Sequence, residues 1–172
     1  MKTHSTLVQW QVIFKKHIKQ LKTTGIKFGE DFLWHIFNPE ESDWYPESTT
    51  PAVALCIFKE YNSDKSVFIA ADFQYALNYE GRDVTDPEAY RHLLKKYNIP
   101  EEEFYLKLKS EEYLEKAYYE IALVKQLQVT GFPCVLMQVT DSKFYLLTRG
   151  YTDYETLRQR VEKVIQEIKN PD

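Results

Sequence analysis

Along most of this chain the apolar positions recur at three- and four-residue steps, the spacing of a helix with one buried face. Leu7, Trp10, Phe14, His17, Ile18 and Leu21 share such a stripe, which predicts a helix from about residue 5 to residue 23, ended by Gly25. Gly29 to Phe37 predicts a second, short helix that stops before Pro39. Asn38 to Thr50 carries two prolines, several acids and the pair Trp44-Tyr45, and reads as a loop pinned by its aromatics. Thr50 as N-cap and Pro51 at the first helical position then restart a helix to Tyr61. That segment is apolar nearly all round, so it belongs in the middle of a helical bundle, Cys56 with it. Ser63 or Asp64 should cap a further helix through Val67, Phe68, Ala71, Tyr75 and Leu77 to Tyr79, with Gly81 as its stop. Asp86-Pro87 opens the next, with Tyr90, Leu93, Leu94 and Tyr97 on one side. Pro100 and three glutamates open another, where the acids suit the positive end of the helix dipole. Ser110 caps the longest helix, in which Leu114, Ala117, Ile121, Val124 and Gln128 form one stripe that should pack lengthwise on a core including the segment beyond it.

That beyond is where helical spacing ends. Pro133 opens the run Cys134 to Thr140, whose length and apolar content suit a strand buried on both faces. Lys143 to Thr148 comes next across the turn Asp141-Ser142, which predicts a hairpin with a proline at its mouth. Tyr154, Leu157, Val161, Val164, Ile165 and Ile168 predict a final amphipathic helix ending near Asn170-Pro171. A two-stranded hairpin is marginal in isolation, and an uncharged run such as Cys134 to Thr140 leaves an edge ready to pair. The expectation is that another chain covers this edge, or a helix of the preceding region.

Composition narrows the function classes. A chain of 172 residues suits one domain, or one domain carrying an inserted subdomain. A formal net charge of -4 offers no broad attraction for nucleic acid or anionic membrane. No stretch reads as a signal peptide or membrane span, so the expected compartment is the cytoplasm. Cys56 and Cys134 form no Cys-x-x-Cys and read as reduced thiols. His4, His17, His35 and His92 show no metal-binding spacing, and no metal site is expected. The polar cluster Glu80, Arg82, Asp83 and Asp86 reads as turn and cap structure around Gly81.

Four stretches carry a resemblance over almost the whole chain: Thr24-Gly25-Ile26-Lys27-Phe28, Tyr79-Glu80-Gly81-Arg82-Asp83-Val84-Thr85-Asp86-Pro87, Val129-Thr130-Gly131-Phe132-Pro133 and Arg149-Gly150-Tyr151. In this the chain resembles the DsbA family, in particular its cytoplasmic FrnE-type branch of predicted protein-disulfide isomerases. The resemblance implies an α/β chain, mostly helical by content, with a DsbA-like thioredoxin fold and an all-helical insertion. Residues 1–110 would be the helical insertion and residues 111–172 the C-terminal half of the thioredoxin-like domain. That family keeps its Cys-x-x-Cys in an N-terminal β-α-β unit, and this sequence begins after it. The resemblance therefore implies a thiol-disulfide oxidoreductase relative that is redox-inactive as it stands, so whether it is an enzyme stays open. Gly131, Phe132 and Pro133 would be the substrate-binding loop, with a cis bond before Pro133 and no catalytic residue. Cys134 is either a small strand residue or a thiol that a partner attacks or glutathione caps. No other cofactor is expected. The partner would be an extended polypeptide or protein, with a homodimer through the exposed sheet edge as a further form. The alternative reading is a non-catalytic binding module that uses the helical subdomain and the proline loop. Glutathione-dependent isomerase chemistry, as in kappa-class transferase relatives, is a weaker third.

Overall fold

The computed structural model describes residue 18, residues 27–44 and residues 47–170. The helix expected over residues 5–23 lies outside the described residues, except Ile18, which is helical and buried. The elements are α1 (Glu30–Phe37), α2 (Thr49–Tyr61), a 3-10 turn (Ser63–Lys65), α3 (Ser66–Asn78), a second 3-10 turn (Pro87–Tyr90), α4 (Arg91–Lys96), α5 (Glu101–Leu108), α6 (Glu111–Gln126), β1 (Cys134–Gln138), β2 (Phe144–Arg149) and α7 (Tyr154–Lys169). The chain divides into two compact units, Met1–Tyr119 and Glu120–Asp172, with the division inside α6.

The first unit is helical and built around α2. Val53, Ala54, Ile57 and Phe58 are buried there, and the Phe58 ring meets Phe73, Tyr97 and Phe104 edge-on with centroids 5.0, 5.8 and 5.7 Å away. Such edge-to-face pairs set the positive rim of one ring on the negative face of another. Tyr90 is the most deeply buried tyrosine in this core, and its hydroxyl donates to the carbonyl of Val84 at 2.6 Å. Burial raises its pKa far above that of an ordinary tyrosine, so it remains a neutral donor. At the rim, Lys107 Nζ donates to Glu60 Oε1 at 2.8 Å and to the Tyr61 hydroxyl at 2.9 Å, while the Tyr113 hydroxyl donates to Glu60 Oε2. These bonds tie α5 and α6 to the C-terminal end of α2.

Three expectations fail in this unit, one of them at α4, which begins at Arg91 after a 3-10 turn and not at Asp86-Pro87. Thr50 does not cap α2: the helix starts at Thr49, and the Glu47 carboxylate accepts from the backbone N–H groups of Thr49 and Thr50, the latter at 2.9 Å. A glutamate placed before the helix satisfies two orphan donors, the service usually supplied by a shorter side chain. Helix α3 begins at Ser66, after a 3-10 turn, and buries Ile69, Phe73 and Ala76. Val67 and Phe68 are 80% and 69% exposed, because they lie away from the stripe of Ile69, Phe73 and Ala76 that faces the core.

In the second unit, α6 ends in a Schellman motif: Gln128 N–H bonds the Lys125 carbonyl at 3.0 Å and Val129 N–H bonds the Val124 carbonyl at 3.2 Å, with Gln128 in the left-handed region at φ 54°. The expected stripe therefore does not reach Gln128, and Ile121, Ala122 and Leu123 are exposed. Strands β1 and β2 pair antiparallel, Cys134 opposite Arg149 and Gln138 opposite Phe144. Helix α7 is capped by Asp153, which accepts from Thr156 N–H at 2.9 Å, and it packs against β2. Burial consequently falls on Leu147, Thr148 and Val164, while β1, expected to be buried on both faces, is half-buried to exposed throughout.

Candidate functional site

Residues Gly131 to Cys134 form the approach to β1. The Phe132–Pro133 peptide bond is cis. Phe132 is 78% exposed and Pro133 is exposed, whereas Gly131 and Cys134 are half-buried. A Cβ built on Gly131 would meet nothing within 4 Å, so space alone does not demand glycine there. The sequence placed these four residues at one site by adjacency, and the structure keeps them so.

The group that seats this loop lies across the hairpin. Gly150 N–H donates to the Pro133 carbonyl at 2.7 Å, and Gly150 adopts φ 87°, a left-handed conformation natural to glycine. Thr148, the buried polar residue of the second unit, donates its hydroxyl to the Gly150 carbonyl at 3.2 Å. Between Val135, opposite Thr148, and Leu136, opposite Leu146, the pairing shifts by one residue, leaving Leu147 as a bulge on β2. Arg160 of α7 donates to the Leu147 carbonyl at 2.6 Å and so occupies that position of the β2 edge. Thr148 and Arg160 escaped sequence reading. A threonine in a β-rich run and an arginine on a charged helical face look ordinary until the bulge brings them to the loop.

The orientation of the β1 backbone is set by two bonds. Gly150 N–H reaches Pro133 and Val139 N–H reaches the Lys143 carbonyl at 3.0 Å. In an antiparallel ladder the paired groups alternate, so residues 133, 135, 137 and 139 face β2 and residues 132, 134, 136 and 138 face the opposite edge. Among the described residues no backbone group pairs with Phe132 on that edge. The loop thus offers an exposed ring and an outward N–H and C=O, the equipment for adding an extended strand.

The remaining candidates have local duties. Neither Cys56 nor Cys134 is in a disulfide; Cys56 is half-buried against the α2 core. His35 stacks on Trp44 at 4.0 Å and its Nδ1 lies 2.9 Å from Ser42 Oγ, which pins the loop after α1 as its aromatics suggested. His92 Nε2 is 3.3 Å from Glu80; burial and then Arg82 depress its pKa. Asp83 accepts from Thr85 N–H at 2.9 Å and Asp86 from Glu88 N–H at 3.0 Å, both turn or cap bonds. Among the described residues no group of His, Cys, Asp and Glu could hold a metal ion. No described helix is long and apolar enough to cross a membrane.

No protein-family profile matches the chain, and no curated protein matches it. Among solved structures, it is similar to a crystal structure described as "a putative protein disulfide isomerase from Nitrosomonas europaea", with a TM-score of 0.75 and 23% identity, covering 92% of this chain and 74% of that one. The two share their fold: this chain has a DsbA-like thioredoxin fold with a helical insertion, mostly helical with a small two-stranded sheet.

Proposed function

We propose that the chain is a cytoplasmic, FrnE-type relative of the DsbA-like thiol-disulfide oxidoreductases, and that its own part in that chemistry is to hold an extended polypeptide at Gly131, Phe132 and Pro133. The observation that carries the reading is Phe132, exposed and with its backbone directed to the open edge of β1, on a fold shared with a protein described as a disulfide isomerase. Disulfide exchange by a resident dithiol requires two thiols within reach, one leaving as the other attacks. Cys56 and Cys134 are the two cysteines of the sequence and form no Cys-x-x-Cys, so this chain binds without turning substrate over.

Two measurements test this. The chain should not accelerate insulin reduction by dithiothreitol, and it should bind a reduced, alkylated polypeptide in fluorescence anisotropy. Phe132→Ala should weaken that binding by about tenfold, the loss expected from a well-placed aromatic contact. Unchanged binding would sink the loop assignment. The alternative module reading draws on exposed aromatics of the helical unit, Phe68 and the stacked pair Tyr75 and Tyr79, whose centroids are 4.8 Å apart. Because that module uses the proline loop together with the helical subdomain, it predicts binding that falls with Phe68→Ser as well as with Phe132→Ala. Glutathione is the small molecule the loop would take, capping Cys134, and mass spectrometry after incubation with oxidised glutathione would detect the adduct.

A further inference from the structure

We infer that Arg160 is a positioning residue for the proline loop: it holds the bulge of β2, the bulge turns Thr148 inward, and Thr148 fixes the glycine that seats Pro133. This role rests on polypeptide binding at Gly131, Phe132 and Pro133, and it places control of that loop on α7. In a regular strand successive side chains alternate between faces. Leu147 and Thr148 are neighbours, yet each is only 6% exposed. A regular ladder that buried Leu147 would leave Thr148 on the face of Leu146, which is 53% exposed. The bulge removes the conflict, because Leu147 has no counterpart on β1 and the alternation breaks there.

A bulged residue stands outside the ladder, so its carbonyl needs another donor. Arg160 supplies it, with Nη1 2.6 Å from the Leu147 oxygen. Its neighbour Arg158 pairs with Glu155 and Glu162 of its own helix, whereas Arg160 forms no ion pair among the described residues and turns its guanidinium to the strand. Beyond the bulge, the Thr148 hydroxyl donates to the Gly150 carbonyl at 3.2 Å. Gly150 is thereby held at φ 87°, where its N–H meets the Pro133 carbonyl at 2.7 Å. Every link ends on a backbone carbonyl, so the relay sets where the main chain beside Phe132 lies. The Arg160 link is charge-assisted and stronger than the neutral bond at Thr148.

The test is binding of fluorescein-labelled, alkylated insulin B chain, read by anisotropy, together with amide exchange at Gly150. Arg160→Met keeps the aliphatic stem and loses the donor; it should weaken binding about tenfold and speed exchange at Gly150 by a similar factor. Val139, whose N–H bonds the Lys143 carbonyl at the far end of the hairpin, should exchange as before, whereas general destabilisation would speed both. Arg160→Lys should restore binding to within about threefold, since one bond from Nη1 asks for a charged donor and not for a planar fork. Should Arg160→Met fail to fold, Thr148→Val and Thr148→Ser put the same question: the first should weaken binding and free the Gly150 amide, the second should restore both. Unchanged binding or unchanged Gly150 exchange in the donor-less variants overturns the role, as does equal weakening by Arg160→Met and Arg160→Lys. If Phe132→Ala still weakens binding in those cases, the loop reading stands without the relay. Binding indifferent to Phe132→Ala overturns the loop reading, and the positioning role with it.

Discussion

Gly29 sits at φ -69°, a conformation open to any residue, yet its place is closed to all but glycine. A Cβ there would stand 1.8 Å from the carbonyl oxygen of Tyr79, and the Gly29 N–H already bonds the Asn78 carbonyl at 3.0 Å. Gly81 faces the same junction with φ 69° and a would-be Cβ 2.5 Å from that of Asp31. The two glycines let the start of α1 lie directly on the end of α3. Gly29→Ala should therefore cost about 2–3 kcal/mol in urea denaturation, as overpacking against backbone does; a neutral result would mean the junction can open. Gln128 is the converse case, a side chain in the left-handed cap of α6. Gln128→Gly should raise stability by about 1 kcal/mol by removing that strain, read as a higher thermal midpoint. The sequence marks Gly81 as a helix stop, but nothing local marks Gly29 or Gln128. Their constraints come from a neighbouring carbonyl and from where α6 ends.

At the scale of elements, Glu60 shows how three helices are joined by chemistry at their rim. Hydrogen bonds from Lys107 and then Tyr113 hold its carboxylate at a pKa of about 2, well below its ordinary value of 4.5. A carboxylate lowered on folding stabilises the native state above its unfolded pKa, and that contribution disappears as pH falls through the folded value. Glu60→Gln should lower the urea midpoint at pH 7 and flatten the loss of stability between about pH 4.5 and 2; an unchanged acid profile would show the network to be idle. The helices themselves were legible from periodicity and punctuation: α1 and α5 start where Gly29 and Pro100 predict, whereas the helix expected from Asp86-Pro87 opens as a 3-10 turn and α4 begins only at Arg91. Faces were less legible. For α3 the face turned to the core is that of Ile69, Phe73 and Ala76, which leaves Val67 and Phe68 at the surface, and for β1 an apolar strand was left half-buried because α7 packs on β2.

For the whole molecule, the two units carry unequal cores. The first packs Phe58, Phe73, Tyr90 and Phe104 together, fully or nearly buried; in the second, Leu147, Thr148 and Val164 are the buried residues from 120 onward. Regions with few buried apolar contacts open at lower free energy. Hydrogen exchange should therefore release the amides of Leu146 and Leu147 well before those of Ile57 and Phe58, and equal protection would contradict two units of unequal stability. By itself the sequence determined the helical character, the hairpin and its proline, the DsbA-like resemblance and the lack of a Cys-x-x-Cys, because periodicity, turn chemistry and residue identity are local properties. Only the tertiary structure decided that Glu47 caps α2, that Thr148 and Gly150 seat the proline loop, and that Arg160 guards the bulged edge of β2. Those relations join residues distant in sequence, and no local spacing encodes which groups folding brings within hydrogen-bond reach.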